Sequence, residues 1–375
     1  MTMTIYKLLN TQKFIPVQFF IFCTSLVTAF IFFTSLFNWT TTTSANAISK
    51  KLTLNNDSFY TKSTMQYKGV FDPMDGIGFD FEKYDISPFP KFQDLEKLHV
   101  CDLSVDKLKP RTTPAKLLKG FHDCVDPLFE DVLIKMEPKN FSLEICKIIK
   151  KCDTIPEFTN LSIDEFPNDH EIKWAILPKC KEDNVMVTLG IGLDVKAEVL
   201  LSRTLPNTTF YGADPIIQPN LQMYSHFGGK FFPFAVGKDA GINRFKVLPN
   251  QNKKTREYTY QDVTTIDVPY FFNNILKLKR IDFLWIDIEG GELTFLHYLN
   301  RGNQFDKLGI TVCQFNVELH PDFWPNGYQI VFDFIPQILR ENRYVFLKPL
   351  ETTTGVFRLF FINVENQECV RKYIQ

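Results

Sequence analysis

Hydrophobic residues fall into one long run near the start of the chain and a series of short runs in its second half. The long run covers residues 14–37, contains no charged residue and is dominated by Phe, Ile, Leu and Val. About 20 apolar residues are enough to cross a bilayer as a helix. The pattern therefore predicts a transmembrane segment. A buried helix of a soluble protein is a weaker interpretation, because uncharged apolar runs of this length are unusual in soluble cores.

The charges on either side of this run predict its orientation. Lys7 and Lys13 precede it, whereas no charge follows it until Lys50 and Lys51. By the positive-inside rule, the N-terminus is expected in the cytoplasm and the rest of the chain in the lumen. This predicts a type II single-pass protein of the endoplasmic reticulum or Golgi. The alternative is a signal peptide cleaved near residues 45–47, but the apolar run is longer than an ordinary signal sequence and ends well before that site.

The short apolar runs of the second half have the lengths and spacings of strands that alternate with helices. They lie at residues 185–189, 209–213, 231–236, 281–288 and 310–319, with a helix expected at 195–205. This alternation is typical of βαβ units and a mostly parallel sheet. Two further runs at 344–347 and 356–362 are close enough for an antiparallel hairpin. The predicted fold class is α/β, with five parallel strands and a terminal antiparallel hairpin at one edge.

These patterns divide the chain into five predicted segments. They are a cytoplasmic tail at 1–13, a transmembrane signal anchor at 14–37, a stem at 38–68, a cysteine-containing N-terminal subdomain at 69–180 and an α/β domain at 181–375. The stem is rich in Thr, Ser, Asn and Lys and has no apolar period that a folded element could bury. The subdomain is expected to be mainly helical, with helices near residues 114–133 and 141–151.

Composition, charge and cysteines narrow the function further. Hydrophobic residues make up 45% of the chain, and 42 basic against 43 acidic residues give a net charge of -1, so disorder and a general nucleic-acid affinity are disfavoured. Of the 8 cysteines, Cys23 lies in the apolar run. The other seven are an odd number, so at least one thiol stays free, and five of them precede residue 181, which favours disulfides in an oxidising lumen: Cys101, Cys124, Cys146, Cys152 and Cys180. The spacing does not determine their pairing, and no C-x-x-C pair supports a zinc or thioredoxin-type site. Glycosylation acceptors at Asn56, Asn140, Asn160 and Asn207 fit the same compartment.

The first predicted strand of the α/β domain ends in a glycine-containing turn. Gly190 and Gly192 would let a ligand approach the backbone at the start of the next helix, although many such turns use glycine for geometry alone. A dinucleotide fingerprint would have a third glycine where Val195 stands, which argues against NAD. Asp194 is expected to cap the helix. Asp214 ends the second strand, where an acid can accept hydrogen bonds from ribose hydroxyls; the alternative role is that of a turn residue before Pro215.

Further candidate residues follow two later strands. Asp287 and Glu289 end the run 281–288 two positions apart, and Glu318 and His320 end the run 310–319. Residues two apart on a strand share a face, so these four side chains are expected to form one polar cluster. His320 is the natural general base by its ordinary pKa, with Asp287, Glu289 and Glu318 as the other candidates. The three carboxylates could instead bind a divalent cation. The version without a metal is favoured slightly.

Residues 281–296, which read IDFLWIDIEGGELTFL, resemble the signature of FkbM-type S-adenosylmethionine-dependent methyltransferases. With the sequence VTLGIGLD at the first strand, the chain resembles particularly the nematode-type membrane-anchored members of this family. The resemblance covers about residues 185–362. It implies the class I methyltransferase-like (Rossmann-like) fold and S-adenosylmethionine as cofactor. It also implies that Gly190, Gly192 and Asp214 hold the methyl donor and that Asp287 and Glu289 lie next to the transferred methyl group.

Several residues depart from the family's pattern. Thr188 stands where an acid is common, Asp194 replaces the last glycine of the turn, Asp214 replaces a glutamate and Trp285 replaces the usual lysine. The primary hypothesis is an O-methyltransferase that acts on a hydroxyl of a glycan or secreted glycoconjugate and is tethered to the membrane by one helix. The alternative is a catalytically inactive binding protein that retains the fold. Neither hypothesis involves nucleic acid.

Overall fold

The structure is a computed structural model that describes residues 97–101, 113–249, 257–352 and 355–375. The predicted tail, membrane span and stem lie outside these residues, as does most of the N-terminal subdomain before residue 113. Among the helices in the described ranges, none is both long and apolar enough to cross a membrane.

The described elements alternate between strands and helices from residue 163 onward. The strands are β1 Ile163–Pro167, β2 Ile172–Ile176, β3 Asn184–Leu189, β4 Thr208–Ala213, β5 Lys230–Phe232, β6 Ala235–Gly237, β7 Gly241–Val247, β8 Thr259–Asp267, β9 Arg280–Ile281, β10 Phe283–Ile286, β11 Thr311–Val312, β12 Gln314–Leu319, β13 Tyr344–Glu351 and β14 Phe357–Asn363. The helices are α1 Pro114–Lys135, α2 Pro138–Cys152, α3 Pro156–Thr159, α4 Lys196–Thr204, α5 Asn220–His226, α6 Val268–Tyr270, α7 Gln304–Leu308, α8 Gly327–Arg340 and α9 Gln367–Tyr373.

The main sheet has the predicted arrangement. In the described part of the chain its seven strands have the order β13-β14-β12-β10-β3-β4-β5. The five strands from β12 to β5 are parallel, and β13 and β14 form the antiparallel hairpin at one edge. The carboxyl ends of β3, β4, β10 and β12 therefore meet at one edge of the sheet, where the candidate residues were predicted.

The strands observed at residues 231–236 and at β7 and β8 differ from the prediction. The run 231–236 is not one strand, because Pro233 lacks a backbone N–H and separates β5, in the main sheet, from β6, in a small second sheet. That second sheet also contains the antiparallel pair β7 and β8, which the sequence analysis did not predict. Its alternation of exposed and half-buried residues is weak, with Ile242 79% exposed, so the apolar pattern gave little signal.

A hairpin formed by β1 and β2 lies over the face of the main sheet and is held there by two side-chain amides of β12. Asn316 accepts a hydrogen bond from the Trp174 backbone N–H and donates one to the Trp174 carbonyl, both 2.8 Å long. Gln314 makes the same pair of bonds with Ile176, at 2.8 and 3.0 Å. The two amides thus satisfy backbone groups of β2 and fix this strand against the first half of β12.

Three disulfides connect described elements. Cys101–Cys180 and Cys124–Cys152 join four of the five clustered cysteines, which confirms that disulfides form there, and Cys146 remains a buried free thiol. A third bridge, Cys313–Cys369, lies within the α/β domain and was not predicted. The second bridge links α1 to α2, and α2 packs on β13 and α8. The helices α1 and α2 therefore pack together as one unit that supports the main sheet at β13.

Candidate active site

The turn after β3 requires glycine at its first position. Gly190 has φ +82°, and a Cβ built there would lie 1.7 Å from the carbonyl oxygen of Asp287. The same two strand ends are joined by a hydrogen bond from the Asp287 N–H to the Leu189 carbonyl, 2.9 Å long. Gly192 also has a positive φ, +61°, but a Cβ there would meet nothing within 4 Å. Gly190 therefore permits a close approach of β3 to β10, whereas Gly192 serves the turn itself.

The side chain of Asp214 holds this turn from the end of β4. Its Oδ2 accepts hydrogen bonds from the backbone N–H groups of Ile191, at 2.9 Å, and Gly192, at 3.2 Å. Its Oδ1 accepts one from Ile216 at 2.8 Å. Burial raises the pKa of Asp214, and these bonds oppose the rise. Asp214 therefore lines the predicted donor site but uses most of its acceptor capacity on the protein's own backbone.

Two side chains satisfy the first turn of α4, the helix that follows the glycine turn. Asp194 accepts a hydrogen bond from the N–H of Lys196, the first residue of α4, at 3.1 Å, but the N-cap position itself is Val195 and not Asp194 as predicted. Asn168, at the turn between β1 and β2, accepts one from the Ala197 N–H at 2.8 Å. The β1–β2 hairpin is thereby tied to the glycine turn as well as to β12.

One cleft connects the glycine turn to the predicted polar cluster. Its walls include Gly190, Gly192 and Asp214 on one side and Asp287, Glu289 and Glu318 on the other. Further lining residues come from the β1–β2 hairpin (with Glu171 and Lys173), from α4 (with Glu198) and from the second sheet and its neighbouring segments (with Phe245, Lys246 and Tyr258). All predicted donor-site residues and three of the four predicted catalytic residues therefore face one space.

The fourth catalytic candidate, His320, lies at the centre of the polar cluster. Its ring is 3% exposed, and Nε2 lies 3.7 Å from Asp287 Oδ1, 3.6 Å from Glu289 Oε2 and 3.8 Å from Glu318 Oε1. Its Nδ1 lies 3.2 Å from Glu292 Oε1. The four predicted side chains are thus brought together, with the imidazole between the carboxylates.

The sequence predicts His320 as a base because the ordinary pKa of histidine is close to neutral. The pKa of His320 in this structure differs from that ordinary value. Burial lowers the pKa of His320, but the nearby carboxylates, Glu292 first, outweigh burial and raise it to about 10. The ring is therefore an imidazolium at neutral pH, with no lone pair to accept a proton. In the absence of a metal, His320 supplies positive charge to the cluster instead of acting as its base.

Two further cations, which the sequence analysis missed, reach the same carboxylates. Arg358, opposite Glu318 on β14, binds it with both Nε and a terminal nitrogen, at 2.7 and 2.8 Å. Lys173 on β2 is 5% exposed and lies 2.6 Å from Glu171. Burial disfavours its ammonium form, but the charges of Glu171, Asp287 and Glu318 raise its pKa overall. Three positive groups, His320, Arg358 and Lys173, thus lie among the carboxylates of the cluster.

The carboxylates of the cluster differ in their affinity for protons. Burial favours the neutral form of Asp287, but Lys173 and His320 outweigh it and lower its pKa. Burial, together with the charge of Asp287, raises the pKa of Glu289 to about 7 and that of Glu318 to about 8, although Arg358 opposes the latter. Glu318 is held by Arg358, whereas Glu289, whose pKa is the closer of the two to 7, changes its protonation around neutral pH.

The same cluster contains a set of possible metal ligands. Asp287, Glu318 and His320 each offer one ligand atom, and these atoms lie within 4.8 Å of one another. Carboxylate and imidazole ligands fit several divalent cations. The sequence predicts Glu289, and not His320, as the third possible metal ligand, but Glu289 is not one of these three residues.

The missed residues carried a faint signal in the sequence. Lys173 and Arg358 are single charges inside otherwise apolar strands, IKWAI and FRLFFIN, and such a charge is rarely buried without a partner. Glu292 stood within the quoted signature but had no assigned role. Their partners lie far away in sequence, 145 positions between Lys173 and Glu318 for example, so pairing was not readable from spacing.

The five parallel strands, the terminal hairpin, the glycine turn after the first of them and a cleft at their carboxyl ends define a Rossmann-like α/β protein of the methyltransferase class. The family model of the methyltransferase FkbM domain matches residues 138–346, more than half of the 375 residues, and the chain belongs to this family. No curated protein and no solved structure matched the chain.

The matched range differs from the range over which the sequence resemblance was recognised. It begins at residue 138, before the expected 185, and ends at 346, before the expected 362. The earlier start includes α2 and the β1–β2 hairpin. The hairpin supplies Glu171 and Lys173 to the cleft. These elements had been placed in the N-terminal subdomain by their cysteines and helical pattern.

Proposed function

We propose that this chain is an S-adenosylmethionine-dependent O-methyltransferase whose acceptor is a hydroxyl of a glycan or secreted glycoconjugate. The observation that carries the proposal is the single cleft in which the glycine turn and Asp214 face the carboxylates of Asp287 and Glu289. Methyl transfer to a hydroxyl needs a donor site and a proton acceptor at adjacent positions, because the acceptor oxygen must attack in line while losing its proton.

The donor side fits a ligand that approaches the backbone. Gly190 and Gly192 have no side chains that would keep a ligand away from the backbone at these two positions of the turn. Asp214 positions the turn and also borders the cleft. We assign these three residues to donor binding. A bound donor would supply the electrophilic methyl group.

We assign the proton-accepting role to Glu289. It borders the cleft two residues after Asp287, and its pKa of about 7 suits a group that takes up a proton at neutral pH. Asp287 stays ionised beside Lys173 and His320 and would orient the acceptor hydroxyl. His320, Lys173 and Arg358 hold the negative charges in place.

A divalent cation at Asp287, Glu318 and His320 is the alternative arrangement of this site. The bidentate Arg358 contact occupies both oxygens of Glu318, which favours the version without a metal. Activity measured after chelation, with and without added Mg²⁺ or Mn²⁺, separates the two. Full activity after chelation supports Glu289 as base, whereas restoration by one cation alone assigns the cluster to metal binding.

The proposed compartment is the lumen of the secretory pathway, with the chain anchored by residues 14–37 as a type II protein. Three disulfides support an oxidising environment. Asn140, Asn160 and Asn207, the glycosylation acceptors in the described residues, are all exposed. Glycosidase-sensitive mass would support this topology, and protease accessibility of the large domain in sealed microsomes would contradict it.

Calorimetric titration of the purified full-length chain with S-adenosylmethionine tests the proposal. We expect micromolar binding that Asp214→Ala weakens about tenfold or more, because the variant loosens the glycine turn. Asp287→Asn should retain donor binding and lose turnover with sugar acceptors. Equal loss of binding in both variants would contradict this division of roles.

A second candidate function, an inactive binding protein with this fold, is favoured by Trp285. This residue is fully buried in β10 between Thr188 and Asn316, and its indole N–H finds no hydrogen-bond partner among the described residues. Absence of donor binding by well-folded protein would support this second function and overturn the first.

A further inference from the structure

Glu198 is a buried acid on the floor of the cleft that none of the assigned roles uses. It is the third residue of α4 and is 2% exposed. Its Oε1 accepts a hydrogen bond from the Thr188 hydroxyl at 3.0 Å, while its Oε2 has no hydrogen-bond partner among the described residues. A buried carboxylate oxygen without a partner is costly, and its presence in a cleft calls for an explanation.

Two cations that line the cleft with Glu198, Lys173 and Arg358, are already engaged elsewhere. Lys173 acts on it at a distance but is paired with Glu171, and Arg358 is paired with Glu318. Among the described residues Glu198 makes no ion pair within 4.0 Å. The protein therefore buries a carboxyl group next to the glycine turn without giving it a counter-charge of its own.

The position of Glu198 connects it to the residue that departs from the family's pattern. Thr188 stands on β3 two residues before Gly190, where an acid is common, and its hydroxyl bonds to Glu198 from one side and to the Tyr224 hydroxyl, at 3.3 Å, from the other. A buried acid of the following helix thus lies within hydrogen-bond distance of Thr188, near the end of β3.

We infer that Glu198 binds the positive charge of the methyl donor. This rests on the proposed function, since S-adenosylmethionine carries a sulfonium and an α-ammonium group and both are cations. Glu198 lines the cleft, and its Oε2 has no hydrogen-bond partner among the described residues, so once ionised it can accept a charge-assisted hydrogen bond from an ammonium or act as counter-ion to a sulfonium. The ammonium is the favoured partner, because it can donate a hydrogen bond to Oε2.

Ligands that differ in charge identify the partner. S-adenosylmethionine has both cations, S-adenosylhomocysteine keeps the ammonium alone, and 5′-methylthioadenosine has neither. We expect Glu198→Gln to weaken S-adenosylmethionine and S-adenosylhomocysteine by on the order of 10- to 100-fold and to leave 5′-methylthioadenosine unchanged. Loss for S-adenosylmethionine alone would also support the inference and would identify the sulfonium as partner.

Other outcomes overturn the inference. Equal weakening of all three ligands would show that Glu198 only braces Thr188 and Tyr224, and unchanged affinities would show that it does not meet the donor. If the unaltered chain binds none of the ligands, the proposed function fails as well; binding by the unaltered chain with no effect of Glu198→Gln overturns the inference alone. Glu182→Gln, a carboxylate change at the opposite end of the sheet, is the matched control and should leave all three affinities unchanged.

Proton release gives a second measurement that a bracing role would not affect. Burial raises the pKa of Glu198 to about 8, so the group is mostly protonated at pH 7. The groups that face it are the Thr188 hydroxyl, the Tyr224 phenol, the Lys173 ammonium and the Asp194 carboxylate. A cation beside Glu198 would ionise it. Donor binding at pH 7, followed in buffers of different ionisation enthalpy, should therefore release up to about one proton that Glu198→Gln does not release; equal release by both proteins would contradict the inference.

Discussion

A single carboxylate oxygen of Glu292 accepts two hydrogen bonds from His320, one from its backbone N–H at 2.9 Å and one from ring Nδ1 at 3.2 Å. The other oxygen accepts the Gly290 N–H at 3.0 Å. Glu292 thus joins the turn after β10, which carries Asp287 and Glu289, to the end of β12, which carries Glu318. The orientation of the imidazolium follows from this contact, and Nε2 is directed at the three carboxylates.

Glu292→Gln is expected to lower the pKa of His320 from about 10 toward its ordinary value near 6.5, because Glu292 is the largest charge that raises it. Glutamine has one acceptor oxygen where Glu292 has two, so the variant can keep the hydrogen bond from the His320 backbone N–H but loses the one from the Gly290 N–H. The titration of the His320 ring, followed by NMR in chelator-treated protein, measures the change. An unchanged ring pKa would show that the remaining carboxylates suffice.

The same contact predicts a pH dependence of stability. The pKa of His320 is higher in the folded than in the unfolded protein, so its contribution is complete below about pH 6.5 and is lost as the pH rises toward 10. The free energy of unfolding of the unaltered chain should exceed that of Glu292→Gln by about 2–4 kcal/mol at pH 6 and by much less at pH 10. A difference that stays constant across this range would contradict the assignment.

Gly190→Ala should damage the site, whereas Gly192→Ala serves as its control. Both positions have positive φ, but a Cβ at 190 would lie 1.7 Å from the Asp287 carbonyl oxygen and a Cβ at 192 would meet nothing. We expect the first to lower the free energy of unfolding by roughly 3 kcal/mol or more and the second by about 1 kcal/mol. Urea unfolding measures both. Equal effects would show that turn conformation alone matters.

The sequence predicted the main sheet well because its strands are buried on both faces and separated by helices, so each strand is a short apolar run. The pairing of β13 with β14 followed from a short connection. The pattern failed where a strand is exposed, as in β7 and β8, and where a proline interrupts an apolar run, as at Pro233. Exposed strands have no strong alternation, and Pro233 divides one run between two sheets.

The candidate site was predictable to the extent that strand ends reveal it. Asp287, Glu289, Glu318 and His320 were placed together by their spacing, since side chains at the ends of parallel strands converge. The charge state of His320 was not predictable, because it depends on Glu292, whose contact is made across 28 positions of sequence. Lys173 was equally hidden, because a hairpin held by Gln314 and Asn316 brings it to the cleft.

The described part of the chain should contain one free thiol that is buried and unreactive in the native protein. Cys146 is the free cysteine of the described residues, and burial raises its pKa to about 12. A variant with Cys23 replaced by Ser should therefore show no reactive thiol when native and one thiol per chain when unfolded without reductant. Two or more thiols after unfolding would mean that one of the three disulfides is open.

Lys372→Met should destabilise the fold without affecting the donor site, because Lys372 acts at the opposite end of the sheet. Its ammonium lies 2.9 Å from Asp282 Oδ1, and both side chains are fully buried. Asp282 also accepts hydrogen bonds from the Tyr373 hydroxyl at 2.7 Å and the Val185 N–H at 2.9 Å, which ties α9 to β3. Removing the ammonium leaves the carboxylate buried with the Arg280 side chain as its remaining ionic partner, at 3.3 Å.

We therefore expect Lys372→Met to lower the free energy of unfolding by about 3 kcal/mol, measured by urea denaturation at pH 7. The control is Lys119→Met, which removes an exposed pair with Asp123 on α1 and should change stability by less than about 0.5 kcal/mol. Donor affinity at a temperature where both variants are folded should equal that of the unaltered chain. A variant with normal stability would show that Arg280 alone neutralises Asp282, and weakened donor binding would show that the two ends of the sheet are coupled.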